Sequence, residues 1–157
     1  MPLLREVTET DLDVLFTHWT DPEANHMAAF TSADPSDREA FDERWRRIRE
    51  SDDSTARVIE VDGRVVGSIS SWTNEGEREV TYWLGREHWG KGIATRALAE
   101  FLAGVERTRP IQATTARDNV GSQRVLEKCG FRRVGEGRAF ANSRGEELDE
   151  VYFRLDG

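Results

Sequence analysis

The sequence predicts an α+β domain with a mixed, mostly antiparallel central sheet flanked by helices. Three observations predict it. Short alternating segments between residues 57 and 84, broken by Asp62-Gly63 and by Asn74 to Glu77, read as an antiparallel three-strand meander. Two amphipathic segments precede this meander, with apolar residues at helical spacing. A helix, strand, helix and hairpin succession then fills residues 93 to 155.

In order, Leu3 to Val7 reads as a first strand. Thr8 or Thr10 can cap a helix whose Leu12, Leu15, Phe16 and Trp19 share one face. Asp21-Pro22 interrupts it, and a short helical piece fits Glu23 to Ala28. Ser36-Asp37-Arg38-Glu39 fits a capping box, followed by the inward stripe Phe41, Trp45, Ile48 of a helix ending near Glu50. The meander strands are Arg57 to Val61, Arg64 to Ser70 and Glu79 to Leu84, with Val80, Tyr82 and Leu84 on one face of the last and Thr81 and Trp83 on the other. Ile93, Ala97, Leu98, Phe101, Leu102 and Val105 keep helical spacing, and Pro110 closes the connection to a strand at Ile111 to Ala116. Asn119 to Lys128 is a second amphipathic helix, with Gly130 just past its end. Phe131 to Phe140 and Leu148 to Leu155 form a closing hairpin around Asn142-Ser143-Arg144-Gly145.

A chain of 157 residues suits one domain, expected over 1–157, and its 37% hydrophobic and 33% charged content is ordinary for a soluble protein. No apolar run approaches the ~18 residues of a membrane span. The stretch Met-Pro-Leu-Leu-Arg-Glu-Val lacks the regions of a signal peptide. The single cysteine, Cys129, excludes an internal disulfide, so a cytoplasmic location is expected. The net charge of −8 argues against general nucleic-acid binding and is compatible with a cationic or amine-bearing substrate, the plainer alternative being a surface that serves solubility. Lys91 and Lys128 are the only lysines among 22 basic residues, a bias that points to genome composition rather than function. His18, His26 and His88 show no ligand spacing with one another or with Cys129, and no metal is expected.

Residues 78–94 carry the chemistry. A strand runs into the glycine-punctuated loop Gly85-Arg-Glu-His-Trp-Gly90-Lys91-Gly92, and a helix follows. Gly90 and Gly92 let backbone approach a ligand, and the helix start aims unpaired N–H groups and a positive dipole end at the same place. A pyrophosphate suits such a device. A nucleotide P-loop is excluded, because Gly92 stands where that motif needs a hydroxyl for magnesium and the preceding strand is amphipathic. A dinucleotide fingerprint is excluded because Ala94 and Thr95 leave its third glycine unfilled.

Trp89-Gly90-Lys91-Gly92-Ile93-Ala94 after an antiparallel strand resembles the GCN5-related N-acetyltransferase (GNAT) superfamily. Asn119-Val-Gly-Ser122-Gln-Arg-Val-Leu-Glu-Lys-Cys-Gly130-Phe131 strengthens the resemblance, as do the length and the element order. In style the chain is similar to the branch that acetylates ribosomal protein N-termini and related amines. The resemblance implies acetyl-CoA as the acetyl donor, with its pyrophosphate gripped by Glu87, His88, Trp89, Gly90, Lys91 and Gly92 and by Ile93 and Ala94 at the helix start. It implies main-chain pairing of Tyr82, Trp83 and Leu84 with the pantetheine arm. It places Asn119 on that arm and Ser122 near the thioester. Arg86, Lys91 and Arg96 are candidates to neutralise phosphates, the plainer alternative being solvated charge. The chain departs from the family at Glu87, where glutamine or arginine is frequent. It departs again at Leu126, where some members carry a tyrosine proton donor, which leaves Ser122 as the candidate donor to the thiolate.

Acetyl transfer needs a deprotonated amine, a polarised carbonyl and a leaving thiolate. Backbone N–H groups near Tyr82 to Leu84 suit the second task, and a carboxylate or water chain the first. Glu79, at the start of the cofactor strand, is the candidate base; its alternative is an exposed strand-end glutamate. His26, Met27 and Phe30 lie where the family covers the acceptor pocket, and Trp72 is a further candidate lining residue; packing is the alternative for each. Cys129 suits a small buried hydrophobe at a helix end. The expected activity is direct acetyl transfer from acetyl-CoA to a primary amine, a protein N-terminus or a small molecule. The alternatives are a non-catalytic acyl-CoA-binding module and a longer-chain N-acyltransferase. The acceptor and the oligomeric state stay open, a homodimer being compatible.

Overall fold

A computed structural model describes residues 2–157. The chain runs β1 (Leu3–Arg5), α1 (Asp11–Trp19), α2 (Pro22–Ala28), α3 (Arg38–Glu50), β2 (Thr55–Val61), β3 (Arg64–Asn74), β4 (Glu77–Leu84), a 3-10 turn (Arg86–His88), α4 (Ile93–Gly104), β5 (Ile111–Ala116), α5 (Val120–Lys128), β6 (Arg132–Ala141) and β7 (Glu146–Leu155). The seven strands form one sheet in the order β1-β2-β3-β4-β5-β7-β6. Every neighbouring pair is antiparallel except β4–β5. The mixed sheet flanked by helices is thus as the sequence implies. None of the helices among the described residues is long and apolar enough to cross a membrane.

Strand alternation separates two cores. Ile59, Val66, Ile69, Val80, Leu84, Ile111, Val151 and Phe153 face Ala97, Leu98, Phe101 and Leu102 of α4 and Leu126 of α5. Val58, one residue from Ile59, packs instead with Leu12 and Leu15 of α1 and Phe41 and Trp45 of α3. A small third cluster, Ala29, Ala116 and Ala141, ties the segment after α2 to β5 and β6.

The short helical piece expected over Glu23 to Ala28 is α2, where the Asp21 side chain accepts from Glu23 N–H and Pro22 sits at its first turn. Two other local readings need correction. The capping box at Ser36 does not form. Asp37 caps α3 by accepting from Ala40 N–H at 3.0 Å, while the Ser36 hydroxyl turns to Asp34 at 2.6 Å. Neither Thr8 nor Thr10 caps α1 directly. Thr8 donates its N–H, at 2.7 Å, and its hydroxyl to the buried Asp11 carboxylate, which also receives Arg5 at 2.9 Å. This knot ends β1 at Arg5 rather than Val7. The hairpin residues Asp62 and Gly63 take φ of 51° and 79°, and Glu75-Gly76 repeats the geometry with 51° and 82°.

Candidate active site

The parallel junction of β4 and β5 is only two rungs long, Arg78 opposite Ile111 and Glu79 opposite Gln112. Beyond it β4 stays with β3 as far as Leu84, and β5 stays with β7 as far as Ala116. The two strands therefore splay. From Val80 onward β4 has no strand partner on its β5 side, and backbone polar groups in that position need one. The split opens into a cavity of about 530 Å³. Its walls are Tyr82, Trp83 and Leu84 on one side and Asn119, Ser122 and Val125 of α5 on the other, with the glycine loop at one end. Ala24, Met27 and Ala28 of α2 form a lip.

The loop follows the geometry its residues dictate. Gly85 presses so closely on the His18 ring that a β-carbon would stand 2.7 Å from it. Gly90 and Gly92 take φ of +73° and +78°, with no atom within 4 Å of where a β-carbon would point. Gly92 is the N-cap of α4 and supplies no side-chain cap, so the first-turn N–H groups face the loop without one. Trp89 anchors the turn by donating Nε1–H to the Leu84 carbonyl at 3.3 Å.

Of the residues singled out for the cofactor, Tyr82, Trp83, Leu84, His88, Trp89, Gly90, Gly92, Ile93, Ala94, Asn119 and Ser122 all line this cavity. Glu87 and Lys91 belong to the same loop but are exposed and stand outside the lining. Arg86 is committed elsewhere: it pairs with Asp21 at 3.1 Å and with Glu23, pinning the start of α2 to the loop. The sequence reading missed Gly121, Arg124 and Lys128, which also line the cavity. Their positions repeat with Ser122 and Val125 along one face of α5, so a helical projection would have found them.

Asn119 is the N-cap of α5, accepting Ser122 N–H at 3.3 Å. Across the split, the Tyr82 and Ser122 hydroxyl oxygens lie 2.8 Å apart. Burial pushes the Tyr82 phenol up to about 12. Leu126, where relatives can carry tyrosine, is buried in the main core. Glu79 sits half-buried at the last rung before the split, with Asn74 Nδ2 donating to Oε1 at 3.1 Å. It shares its strand face with Trp83, whose ring packs against Trp19 at a tilt of 46° with centroids 4.9 Å apart and whose Nε1–H donates to the His18 carbonyl at 3.0 Å. A second cavity, of about 60 Å³, lies on that opposite face among α1, α3 and the sheet, and Tyr82 and Trp83 line both.

Of the proposed acceptor residues, Met27 lines the lip of the cleft, whereas His26, Phe30 and Trp72 stand outside its lining. His26 is exposed, and its carbonyl accepts from Arg144 at 2.9 Å. Phe30 packs on the Ala29, Ala116 and Ala141 cluster. Trp72 stands opposite Glu79 in the β3–β4 pair. Cys129 is half-buried, donates its thiol to the Thr95 carbonyl at 3.4 Å and is raised by burial. His18 and His88, 70 positions apart, do meet with Glu87, their donor atoms lying within 4.8 Å of one another.

Residues 3–132 match the family described as Acetyltransferase (GNAT) domain. The chain is 25% identical over 162 residues to the uncharacterized N-acetyltransferase p20 of Bacillus licheniformis, covering 97% of this chain and 90% of that protein. A ribosomal-protein-alanine N-acetyltransferase from Brucella melitensis superposes with a TM-score of 0.76 at 25% identity, covering 99% of each chain. A spermidine N-acetyltransferase from Vibrio cholerae, solved with CoA and spermine, gives a TM-score of 0.84 at 19% identity over 99% of this chain and 95% of that one. The chain belongs to the GNAT family. It is an N-acetyltransferase that takes its acetyl group from acetyl-CoA and passes it to an amine.

Proposed function

We propose that residues 1–157 act as one catalytic domain and that the β4–β5 split seats acetyl-CoA for direct transfer to a primary amine. The observation that carries this reading is the early end of β4–β5 pairing beside a cavity of about 530 Å³. An extended pantetheine arm supplies the missing strand to β4, as peptides do at open sheet edges. The pyrophosphate lies on the loop from Glu87 to Gly92 and on the first turn of α4, where N–H groups and the helix dipole favour an anion. Asn119 holds the arm from the α5 side.

The thioester then lies between the backbone of β4, which polarises its carbonyl, and the Ser122 hydroxyl. The amine nitrogen attacks the carbonyl carbon and a C–N bond forms. The C–S bond breaks, its electron pair leaving on sulfur. The surplus amine proton passes to Glu79, directly or through water. Glu79 lies on the sheet face opposite the Tyr82 side chain, so the amine comes from the α1 and α3 side, where Trp72 flanks Glu79. His26 and Phe30 act there as part of the acceptor rim. The acceptor is a protein N-terminus or a small-molecule amine, and cytoplasmic action fits the lone cysteine.

The test is CoA release from acetyl-CoA with a panel of peptides, polyamines and amino acids, repeated with longer acyl-CoAs. Amine-dependent release with acetyl-CoA favoured supports the reading. Binding without turnover on any amine, or preference for a long acyl chain, overturns it.

A further inference from the structure

We propose that Tyr82 is a positioning residue for acetyl transfer: its phenol donates to the Ser122 oxygen and thereby turns the Ser122 O–H toward the sulfur of the departing thiolate. The proposal rests on the reading that the thioester lies beside Ser122.

Tyr82 belongs to β4 and Ser122 to α5, and they meet across the gap that no β4–β5 rung bridges. The hydroxyl oxygens are 2.8 Å apart, whereas the Tyr82 oxygen is 3.4 Å from the Ser122 carbonyl. A phenol is the stronger donor of the two hydroxyls, so the shorter contact takes the phenol proton. A serine hydroxyl has one hydrogen. Once its oxygen accepts from Tyr82, that hydrogen is free to point into the cleft, which Ser122 lines. In the opposite arrangement, Ser122 donating to Tyr82, the free hydrogen is the phenol's, for which the Ser122 carbonyl at 3.4 Å is an acceptor, and no hydrogen of Ser122 is left for the thioester. Both partners are held. Tyr82 packs against the main core, and the Ser122 N–H is tied to Asn119 at 3.3 Å.

Burial raises the Tyr82 phenol to about 12, so it keeps its proton, and its donor role, through the working pH range. The same fact defines the chemistry. A thiol ionises at ~8.5, well below the phenol, so neither hydroxyl gives its proton to the thiolate. The pair supplies a hydrogen bond to charge developing on sulfur. The thiolate leaves with the C–S electron pair and takes its proton from water.

The experiment is a double-mutant cycle on steady-state kinetics with Tyr82→Phe, Ser122→Ala and the pair. A hydrogen bond to a charged group is worth ~1.5–3 kcal/mol, so Tyr82→Phe should lower kcat roughly ten- to hundredfold. KM for acetyl-CoA should stay within about twofold, because the bond strengthens only as charge develops on sulfur. In the Ser122→Ala background the same change should cost almost nothing. Equal losses in both backgrounds, or a raised KM with kcat retained, would overturn the role of Tyr82. If Tyr82→Phe does not fold, Ser122→Ala decides alone: a comparable fall in kcat supports the proposal, and full kcat overturns it. A wild type that neither binds nor turns over acetyl-CoA overturns the cleft reading itself, a result distinct from additive losses in an active enzyme.

Discussion

Two carboxylates carry predictions of different kinds, Glu79 as the proposed base and Asp11 as the buried partner of Arg5. Glu79 is fixed by its register opposite Gln112 and its bond from Asn74, at the point where the sheet opens. As a base it matters most when the amine is protonated. Glu79→Gln should therefore lower kcat more at neutral than at alkaline pH, with KM for acetyl-CoA hardly changed; a loss of equal size at every pH in the rate profile would mean a structural role. Asp11 acts in stability. The Arg5 guanidinium first, with the Thr8 N–H and hydroxyl, overcomes burial and holds its carboxyl down to about 2. A folded-state value below the unfolded one contributes stability above the unfolded pKa and loses it as pH falls. Wild type should thus exceed Asp11→Asn by about 2 kcal/mol near neutrality. The gap should close between about pH 4 and pH 2 in chemical denaturation, and a gap unchanged at pH 2 would refute the linkage. Ser122 was legible through the resemblance that the stretch from Asn119 to Phe131 bears to the GNAT family. Its bond to Tyr82 was not, because a 40-residue separation leaves no trace in local pattern.

At the scale of elements, the loop between β4 and α4 was the clearest part of the sequence, since glycine at two nearby positions before an amphipathic helix is a backbone statement. Gly90 and Gly92 do adopt left-handed φ with open space where a side chain would project. A β-branched residue there costs strain of ~1–2 kcal/mol and fills the ground through which an anion must approach. Gly92→Val, and Gly90→Val likewise, should keep a cooperative melting transition yet weaken acetyl-CoA binding by more than tenfold in titration calorimetry. Unchanged affinity in both would remove the loop from the site. The charges around this loop were less legible. Arg86 reads along the chain as either a phosphate partner or a solvated charge, but α2 folds back and places Asp21 and Glu23 against it. The capping box at Ser36 failed for a related reason: Asp34 and Asp37 offered closer carboxylates, one taking the Ser36 hydroxyl and the other the helix N–H. Short-range competition between acceptors is not visible in spacing alone.

For the molecule as a whole, the site follows from a topological conflict. β5 pairs along six residues with β7, from Ile111 opposite Leu155 to Ala116 opposite Glu150, while β4 pairs along eight with β3. The Arg78–Glu106 ion pair, at 2.7 Å and with Ser71 donating to the same carboxylate, clamps the end where the strands still meet. The strands and helices were readable from period and turns. The splay was not, because which strand pairs with which, and for how long, is settled by packing across the whole sheet. The central claim is that acetyl-CoA completes the sheet along β4. Amide hydrogen exchange with and without acetyl-CoA, in EDTA, tests it most directly. Slower exchange should appear at residues 80–84 of β4, across the loop at 87–94 and at the start of α5, with the β6–β7 hairpin unchanged. Acetyl-CoA that binds while leaving 80–84 and 87–94 unprotected would contradict it.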